Sequence, residues 1–370
     1  MPRPTRAEID LAALRHNLRV VRQRVGDGVQ VCAVVKADAY GHGAVRVART
    51  LCGAGIDMLG VALVEEGLAL REAGLVEPIL VMGLAPEDDL ADALAADLAL
   101  TVDGAATAEA IDRAAAAQGT TAAVHLKIDT GMNRLGVRAE EAARAAAEVD
   151  ALPHLGLAGV YTHLACADEP DDPFTPAQLA TFGEALEAMR GVGVAPPLVH
   201  AANSAGLFAR PAARFGMVRS GLALYGVGPS EAARAADLVP VMTLKTRVAT
   251  VKQVRAGEGV SYGQRWRAER ESRIGVLPVG YADGYPRSLS NRGRVRAAGR
   301  LVPVVGAVCM DLVMVDLTDV PEAGAGLEVT LLEADAASPL SAAALAEAAG
   351  TIPYEILAGI GPRVRRVYRE

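Results

Sequence analysis

Three features that mark common protein classes are missing from this sequence. Its four cysteines show no CxxC spacing, so neither a zinc site nor a disulfide framework is indicated. It has no block of lysine or arginine and a formal net charge of −7, so the basic surface that nucleic acids require is not expected. It also has no run approaching the roughly 18 uninterrupted apolar residues of a membrane span. We therefore expect no metal, nucleic acid or membrane among its partners.

Composition and the N-terminus favour an ordinary globular protein. The opening stretch, MPRPTRAEIDLAAL, lacks the long apolar segment of a secretory signal, so a cytoplasmic location is expected. The chain has 370 residues, of which 51% are hydrophobic and 22% charged. This is enough for two domains with large apolar cores.

The first two thirds of the chain alternate between short apolar runs and alanine-rich amphipathic segments, after a first helix that begins at Asp10 and ends at Gly26. Apolar strands separated by helices are typical of a parallel sheet covered on both faces, and eight such units close into a TIM-type (β/α)₈ barrel. An open doubly wound sheet is the alternative, but no GxGxxG follows the first run. The runs are VCAVVKA, MLGVAL, PILVMG, LALTVD, AAVHLKIDT, LAGVYTHLA, LVHAANS and MVRSGLALYG, and the predicted helices lie near 44–53, 65–73, 87–96, 104–118, 139–149 and 176–190.

Beyond about residue 235 the helical pattern largely disappears. Segments such as MTLKTRVATVKQV and GRLVPVVGAVCMDLVMVDL alternate or run apolar between Gly and Pro, which predicts a mostly antiparallel β domain with one helix near 341–348. We therefore predict a barrel domain over 1–235 and a β domain over 236–370, with the boundary within 228–240.

Polar residues gather at the predicted carboxyl ends of the barrel strands, where active sites of such barrels lie. Taken singly, each has a structural explanation: His163 as a satisfied core histidine, Arg219 as an ion-pair partner, Ser204 as a helix cap. Together they predict a functional site. The residues are Lys36, Lys127, Asp129, Arg134, His163, Asn203, Ser204, Arg219 and Ser220.

Lys36 ends an apolar run in the stretch VVKADAYGHG. Either its ammonium group extends to solvent, or it is held where desolvation lowers its pKa and makes the amine nucleophilic. Ser204, followed by Ala205-Gly206, and Gly221 offer hydroxyl and amide donors after strands seven and eight, where barrels often bind phosphate. A nucleophilic lysine opposite a phosphate site suggests pyridoxal phosphate, bound as a Schiff base to Lys36.

Nine segments of the sequence together resemble the alanine racemase family, over essentially the full length and in the same order. They are AVVKADAYGHG, HLKIDTGMNRLG, YTHLACADE, HAANSAG, VRSGLALYG, VSYGQRW, PVGYADGYPR, VCMDLVMVDL and TIPYEILAGIGPRV. The resemblance implies a barrel followed by a β domain, a head-to-tail homodimer with shared active sites, and interconversion of L- and D-alanine with pyridoxal phosphate. The usual use of this reaction is D-alanine supply for peptidoglycan.

The resemblance also implies roles for single residues. Lys36 would carry the Schiff base and Arg219 would face the pyridine nitrogen. Arg134 would approach the cofactor's phenolic oxygen and the substrate, and His163 would lie near the ring. The other cofactor-binding residues, most of them at the phosphate, would be Tyr40, Asn203, Ser204, Gly221, Leu222 and Tyr354. The residues given to the partner subunit's substrate site and its entrance would be Tyr262, Tyr281, Arg287 and the backbone near Met310.

Racemisation removes the α-proton from one face of a planar carbanion and returns a proton to the other, which requires two acid/base groups on opposite faces. The resemblance implies that Lys36 takes the proton of the D-isomer and Tyr262 that of the L-isomer. A tyrosine hydroxyl is a poor base at neutral pH without positive neighbours or an imidazole, an effect expected from His163 with Arg219.

Arg219 distinguishes the predicted racemase from the alternative functions. A guanidinium does not give up its proton and leaves the pyridine nitrogen neutral, which favours rapid reprotonation of the carbanion over transamination. Amino-acid decarboxylases of fold type III share the architecture but carry an acid at this position, and remain the alternative enzyme. A non-catalytic cofactor-binding protein is a further alternative, but such single-barrel proteins lack the β domain that contains VSYGQRW.

Two departures from the family pattern leave the substrate range open. Ala307 and Leu312 replace the usual arginine and glutamine around Cys309-Met310-Asp311, so a pocket admitting serine or larger side chains is a second possibility. Lys127 is either a salt-bridge partner of Asp129 or, as the resemblance implies, a carbamylated lysine that positions Arg134.

Overall fold

A computed structural model describes residues 3–370. Strand β1 (Arg6–Asp10) leads directly into helix α1 (Leu11–Val25). The Asp10 carboxylate accepts a hydrogen bond of 2.8 Å from the Ala13 amide and so caps the helix, and Gly26, with φ of 81°, ends it. The sequence predicts this helix and its two ends, whereas β1 has no counterpart in the prediction.

Eight parallel strands then form a closed barrel, as the sequence predicts. Each strand pairs with the next along the chain, and the eighth pairs with the first, Met217 opposite Gln30 and Ser220 opposite Ala33, so the ring has no open edge. A two-residue strand, β7 (Val137–Arg138), lies beside β6, outside the ring. The barrel strands are β2 (Gln30–Val34), β3 (Met58–Val61), β4 (Ile79–Val81), β5 (Ala99–Val102), β6 (Ala122–Asp129), β8 (Leu155–Tyr161), β9 (Leu198–His200) and β10 (Met217–Ser220).

The helices between these strands follow the predicted positions closely. Only a four-residue helix follows the last strand, and α1 packs against the helices on either side of that gap, which completes the outer layer. The helices are α2 (Lys36–Gly41), α3 (Ala44–Gly53), α4 (Val64–Glu72), α5 (Leu90–Ala95), α6 (Ala105–Gln118), α7 (Ala142–Asp150), α8 (Phe174–Gly191), α9 (Ser204–Ala209) and α10 (Glu231–Arg234).

The C-terminal part is a β domain, as predicted. Its strands form a six-stranded sheet, a three-stranded sheet and a two-stranded ribbon. The strands are β11 (Met242–Arg247), β12 (Thr250–Val254), β13 (Gly259–Val260), β14 (Trp266–Arg267), β15 (Ser272–Leu277), β16 (Arg294–Ala297), β17 (Arg300–Pro303), β18 (Val313–Asp316), β19 (Glu328–Leu332) and β20 (Arg365–Arg369), and the helices are α11 (Ala342–Ala349) and α12 (Pro353–Ala358).

The first and last strands of the chain lie side by side in the six-stranded sheet, whose order is β17-β16-β19-β11-β1-β20. Strand β1 runs antiparallel to β11 and parallel to β20. The buried Glu8 of β1 lies 3.3 Å from the Lys245 ammonium group and 2.7 Å from the Arg369 guanidinium group, one on each neighbouring strand. The N-terminal strand β1 therefore belongs to the six-stranded sheet and not to the barrel. The domain division at residue 235 stays a prediction.

Within residues 3–370, none of the helices combines the length and the apolar character needed to traverse a bilayer.

Candidate active site

One cavity of about 300 Å³ opens at the carboxyl ends of the barrel strands. Every residue that the sequence analysis assigns to the cofactor site lines it, together with Lys127. They are Lys36, Tyr40, Lys127, Arg134, His163, Asn203, Ser204, Arg219, Gly221, Leu222 and Tyr354. Of the nine polar residues singled out at the strand ends, seven line the cavity and Asp129 and Ser220 do not. The role of each residue stays a prediction.

Lys36 stands at the start of a left-handed turn. Although Lys36–Gly41 has the hydrogen bonding of a helix, φ lies between 51° and 54° from Ala37 to Tyr40 and reaches 78° at Gly41. Left-handed conformation costs roughly 1–2 kcal/mol for each non-glycine residue, so four in succession are retained only if the surroundings hold them. The turn places both Lys36 and Tyr40 on the cavity.

A loop with the hydrogen-bond donors of an anion-binding site follows strand β10. The Ser204 hydroxyl accepts hydrogen bonds from the amides of Gly221 (2.9 Å) and Ala223 (3.3 Å). The Leu222 amide between them has no acceptor among residues 3–370. Ser204 is not the cap of α9, because Asn203 has that role and accepts from the Gly206 amide at 2.9 Å. A hydroxyl and a free amide therefore converge on the cavity, as phosphate binding requires.

Two tyrosines from different parts of the chain flank this loop. The Tyr40 and Tyr354 ring centroids are 6.0 Å apart, and Tyr354 comes from α12 in the C-terminal part of the same chain. A Cβ atom on Gly221 would lie 2.6 Å from the Tyr40 hydroxyl oxygen, so the glycine leaves room for that hydroxyl. Residues of both parts of one chain therefore build this end of the cavity.

Arg219 is buried, and no acidic side chain within residues 3–370 pairs with it. Its Nη2 donates to the carbonyls of Thr162 (2.7 Å) and Ala201 (3.0 Å) and lies 3.3 Å from His163 Nδ1, and its Nη1 lies 2.8 Å from His200 Nδ1. Burial lowers the pKa of the guanidinium, but arginine remains charged in proteins. Neutral acceptors alone therefore satisfy a fixed positive charge that faces the cavity.

Sequence reasoning missed a buried layer beneath Arg219. His200 Nε2 lies 3.0 Å from His125 Nδ1, and the Tyr161 ring stacks on the His200 ring at 4.7 Å. Burial lowers the pKa of His125 to about 4 and that of His200 well below its usual value, so both rings are neutral. A signal existed for His125: it lies two residues before Lys127 on β6 and so shares its barrel-facing side.

Cations dominate the electrostatics of the cavity. Its lining carries Lys36, Lys127, Arg134 and Arg219 but no aspartate or glutamate. Burial lowers the pKa of Lys36, with Arg134 adding to the effect. Burial, then Arg219 and Arg134, lower the pKa of Lys127 to about 7, and its ammonium nitrogen lies 4.4 Å from the centre of the Tyr161 ring. No ion pair joins Lys127 to Asp129 in the described chain. The positive charge of the cavity therefore favours the binding of anionic groups.

The predicted residues of the β domain lie elsewhere in the chain. Tyr262, Tyr281 and Met310 are 75%, 42% and 53% exposed and do not line the cavity of their own chain. Hydrogen bonds join their segments into one face: the Ser261 hydroxyl donates to the Ala307 carbonyl, and the Tyr281 amide to the Cys309 carbonyl. Leu312, 41% exposed, lies close to the same face. We call these exposed residues, Tyr262, Tyr281, Met310 and Leu312, the β-domain face.

The fold and cavity define a class. A closed parallel barrel with a lysine and an anion-binding loop at its mouth, followed by an antiparallel β domain, is the architecture of the two-domain barrel enzymes that act on amino acids. Family models then narrow the class, since the alanine racemase N-terminal domain matches residues 9–229 and the C-terminal domain residues 241–368. The chain belongs to the alanine racemase family.

Individual relatives agree with the family models. The alanine racemase of Halothermothrix orenii is 44% identical over 99% of this chain and 97% of its own length. Among solved structures, the alanine racemase of Clostridium difficile 630 is similar with a TM-score of 0.95 and 37% identity, covering 99% of this chain and 96% of that one. The alanine racemase of Bartonella henselae, described with covalently bound pyridoxal phosphate, is similar with a TM-score of 0.90 and 29% identity over the full length of both chains.

Proposed function

We propose that this protein interconverts L-alanine and D-alanine with pyridoxal phosphate, and that it supplies D-alanine for cell-wall peptidoglycan in the cytoplasm. The observation that carries the proposal is the cavity at the barrel mouth, where a lysine of lowered pKa lies among three further cations and no acid. The reaction follows from membership of the family. The cavity supports it because a phosphorylated cofactor and an amino-acid carboxylate supply the anions that such a lining requires.

The cofactor fits the residues that are present. Ser204, Tyr40, Tyr354 and the amide of Leu222 would hold its phosphate, and the Lys36 amine would bind its aldehyde carbon covalently. Asn203, Arg134 and His163 line the remaining wall. When bound, pyridoxal phosphate stabilises the carbanion left by loss of the α-proton.

Two groups of this protein would move the α-proton. Lys36 takes and returns it on one face of the substrate, and Tyr262 does so on the other. Since Tyr262 does not line its own chain's cavity, the tyrosine comes from a second copy. The β-domain face supports this, because its exposed aromatic and aliphatic side chains are of the kind that homodimer interfaces bury. The active unit is then a homodimer with two shared sites.

Arg219 directs the reaction toward racemisation. Held by His200 and two carbonyls, it presents a charged N–H group that gives up no proton. Placed against the pyridine nitrogen, Arg219 would supply no proton to it, which would favour rapid return of the α-proton over competing reactions. This argues against a decarboxylase, which would require an acid in this place.

Lys127 is carbamylated in this proposal. With a pKa of about 7, much of its amine is unprotonated near neutral pH and can attack carbon dioxide. The new N–C bond gives a carbamate and releases one proton. The group then changes from a cation to an anion among Arg134, Arg219 and Lys36, which relieves the surplus of positive charge.

The substrate range is the second question. Ala307 is 4% exposed and its carbonyl accepts from Ser261 at 2.8 Å, next to the Tyr262 turn. Ala307, a small apolar residue, and Leu312 on the β-domain face support a substrate pocket that accepts serine as well as alanine. Hydrophobic pockets discriminate one methylene by only about 1–3 kcal/mol.

The deciding experiment incubates the purified protein and pyridoxal phosphate with L-alanine and follows D-alanine by chiral chromatography. Conversion to an equal mixture from either isomer is expected. L-Serine in a parallel reaction tests the wider range. Release of carbon dioxide from amino acids without racemisation would replace this proposal by the decarboxylase, and a protein that binds the cofactor but converts nothing would refute both.

A further inference from the structure

The left-handed turn after Lys36 is anchored on its barrel side by side chains. The Glu66 carboxylate of α4 accepts from the Ala37 amide at 2.5 Å and from the Ala62 amide at 2.8 Å. His42 Nδ1 lies 2.9 Å from the Tyr40 carbonyl oxygen. A carbonyl only accepts, so this nitrogen carries the proton. These bonds hold the turn at Ala37 and at Tyr40, and further contacts come from the C-terminal segment.

The middle of the turn is held from the C-terminal strand β20. Arg366 donates from Nε to the Gly41 carbonyl at 3.0 Å, and its Nη2 lies 3.6 Å from the Asp38 carboxylate. The Arg366 side chain is only 10% exposed, whereas that of Asp38 is 56% exposed. One guanidinium therefore contacts both a carbonyl and a carboxylate of the strained segment.

Arg366 is itself rigidly placed. Its Nη1 donates to the carbonyls of Gly361 (2.6 Å) and Val364 (2.7 Å), and its Nη2 to that of Ile360 (2.5 Å). With the bond to Gly41, four of the five N–H groups of the guanidinium donate to backbone carbonyls, and the Asp38 carboxylate lies within ion-pair distance. A lysine in its place has three donors on a single nitrogen and cannot span the same set.

Close packing leaves the turn no alternative position on this side. A Cβ atom on Gly41 would collide with the Leu357 carbonyl oxygen, and one on Gly43 with the Tyr368 hydroxyl. Both partners lie in the C-terminal segment, on α12 and β20. The last twenty residues thus cover the turn that presents Lys36.

We propose that Arg366 is a positioning residue for Lys36: from β20 it holds the left-handed turn Ala37–Gly41 in the one conformation that aims the lysine and Tyr40 into the cavity. The C-terminal strand then makes the lysine ready to bind its cofactor. The proposal rests on the proposed function only in taking Lys36 as the cofactor-binding lysine.

Hydrogen exchange tests the hold on the turn without catalysis. The full-length protein is compared with Arg366→Gln and with Arg15→Gln, each with and without pyridoxal phosphate. Arg15 is a matched control because it also docks β20, through Glu370 at 3.1 Å, but does not touch the turn. In Arg366→Gln, amides of residues 37–43 should exchange about tenfold faster or more, the size expected for losing a charged hydrogen bond. In Arg15→Gln they should exchange as in the unchanged protein.

A second measurement links the turn to Lys36. The dissociation constant for pyridoxal phosphate should rise about tenfold in Arg366→Gln, and Arg366→Lys should recover only part of this loss. If Arg366→Gln does not fold, Asp38→Asn replaces it, since it removes only the charge that faces Arg366, and a smaller increase in exchange is expected. Unchanged exchange at 37–43, or equal acceleration in Arg15→Gln, would overturn the proposal. If hydrogen exchange changes as predicted but neither the unchanged protein nor any variant racemises alanine, the result counts against the proposed reaction and not against the role of Arg366.

Discussion

The barrel mouth and the β-domain face differ in how completely one chain builds them. At the barrel mouth, Lys127, Arg219 and Tyr40 are at most 7% exposed, and Arg219 is tied to its surroundings by hydrogen bonds. On the β-domain face, Tyr262 is 75% exposed and Met310 53%. Folding of a single chain therefore finishes the first half of the proposed site. In the proposed homodimer a second chain buries the second half, so formation of the complete site should depend on protein concentration.

The largest effect is expected at the buried half. Lys36→Ala removes the amine proposed to bind the cofactor's aldehyde, so activity should vanish and the visible absorption of the bound cofactor should disappear. Lys252→Ala, an exposed lysine on β12, serves as the control and should change neither. Residual racemisation above that of an empty-vector preparation would show that another group performs the role of Lys36.

The exposed half should be essential for only one direction of proton removal. Tyr262→Phe should slow conversion of L-alanine by about 10²–10⁴-fold, the usual contribution of a general acid/base group. The cofactor's absorption should stay as in the unchanged protein, because Tyr262 lies outside the barrel cavity. Exchange of the α-proton of D-alanine with deuterated solvent, followed by NMR, separates the Lys36 face from the Tyr262 face. If Tyr262→Phe slowed α-proton exchange of L-alanine and D-alanine equally, the assignment of one face to Lys36 and the other to Tyr262 would be wrong.

Strand-helix alternation and strand-end position are local signals, so they predict the barrel, the β domain and part of the cavity lining. Tyr40, Leu222 and Tyr354 are predicted only from the resemblance to the family. The contacts that hold those residues are not local. Glu8 pairs with Lys245, and Arg366 donates to Gly41, although most of the chain separates the members of each pair in sequence. No spacing in the sequence predicts either contact. The left-handed turn is also invisible in sequence, since Ala37, Asp38 and Ala39 favour right-handed conformations. What sequence could not provide was therefore the supporting contacts rather than the site itself.

Acid should damage the barrel before the β domain. All six histidines lie in the first 200 residues, and burial lowers the pKa of His42 and of His125 to about 4. Between pH 6.5 and about 4 the unfolded chain binds protons that these folded rings do not, so stability falls as the pH falls. Each ring should contribute about a hundredfold to the unfolding equilibrium constant across this range.

Denaturant titrations at pH 7 and pH 4.5 measure this effect. His125→Gln should reduce the pH dependence of the unfolding free energy by the equivalent of close to one bound proton. Hydrogen exchange at pH 4.5 should rise in β6 and β9 before it rises in β15 and β18. A slope that His125→Gln does not change would mean that this ring is already solvated.

A smaller effect is expected from the anion proposed on Lys127. Lys127→Ala should lower the turnover rate about tenfold, within the range for a group that acts through a neighbouring residue, here Arg134. Degassing should weaken the unchanged protein, and bicarbonate should restore it more fully as the pH rises through about 7, where the amine loses its proton. Lys127→Glu supplies a shorter anion and should recover part of the loss. Activity indifferent to carbon dioxide in all three proteins would contradict carbamylation.

The last test addresses the two halves together. As homodimers, Lys36→Ala chains should be inactive and Tyr262→Phe chains nearly so, since one lacks the barrel half of the site and the other the β-domain half. If the site is shared, a heterodimer has one site with both defects and one with none. Random pairing makes half of the dimers mixed, and each mixed dimer has one intact site out of two. Co-expression should therefore restore roughly a quarter of the unchanged protein's activity, a loss of only about fourfold. Differently tagged chains, purified through both tags, should reach about half. If mixed dimers form but stay inactive, Lys36 and Tyr262 serve the same chain, and the exposed β-domain face has some other purpose than completing its partner's site.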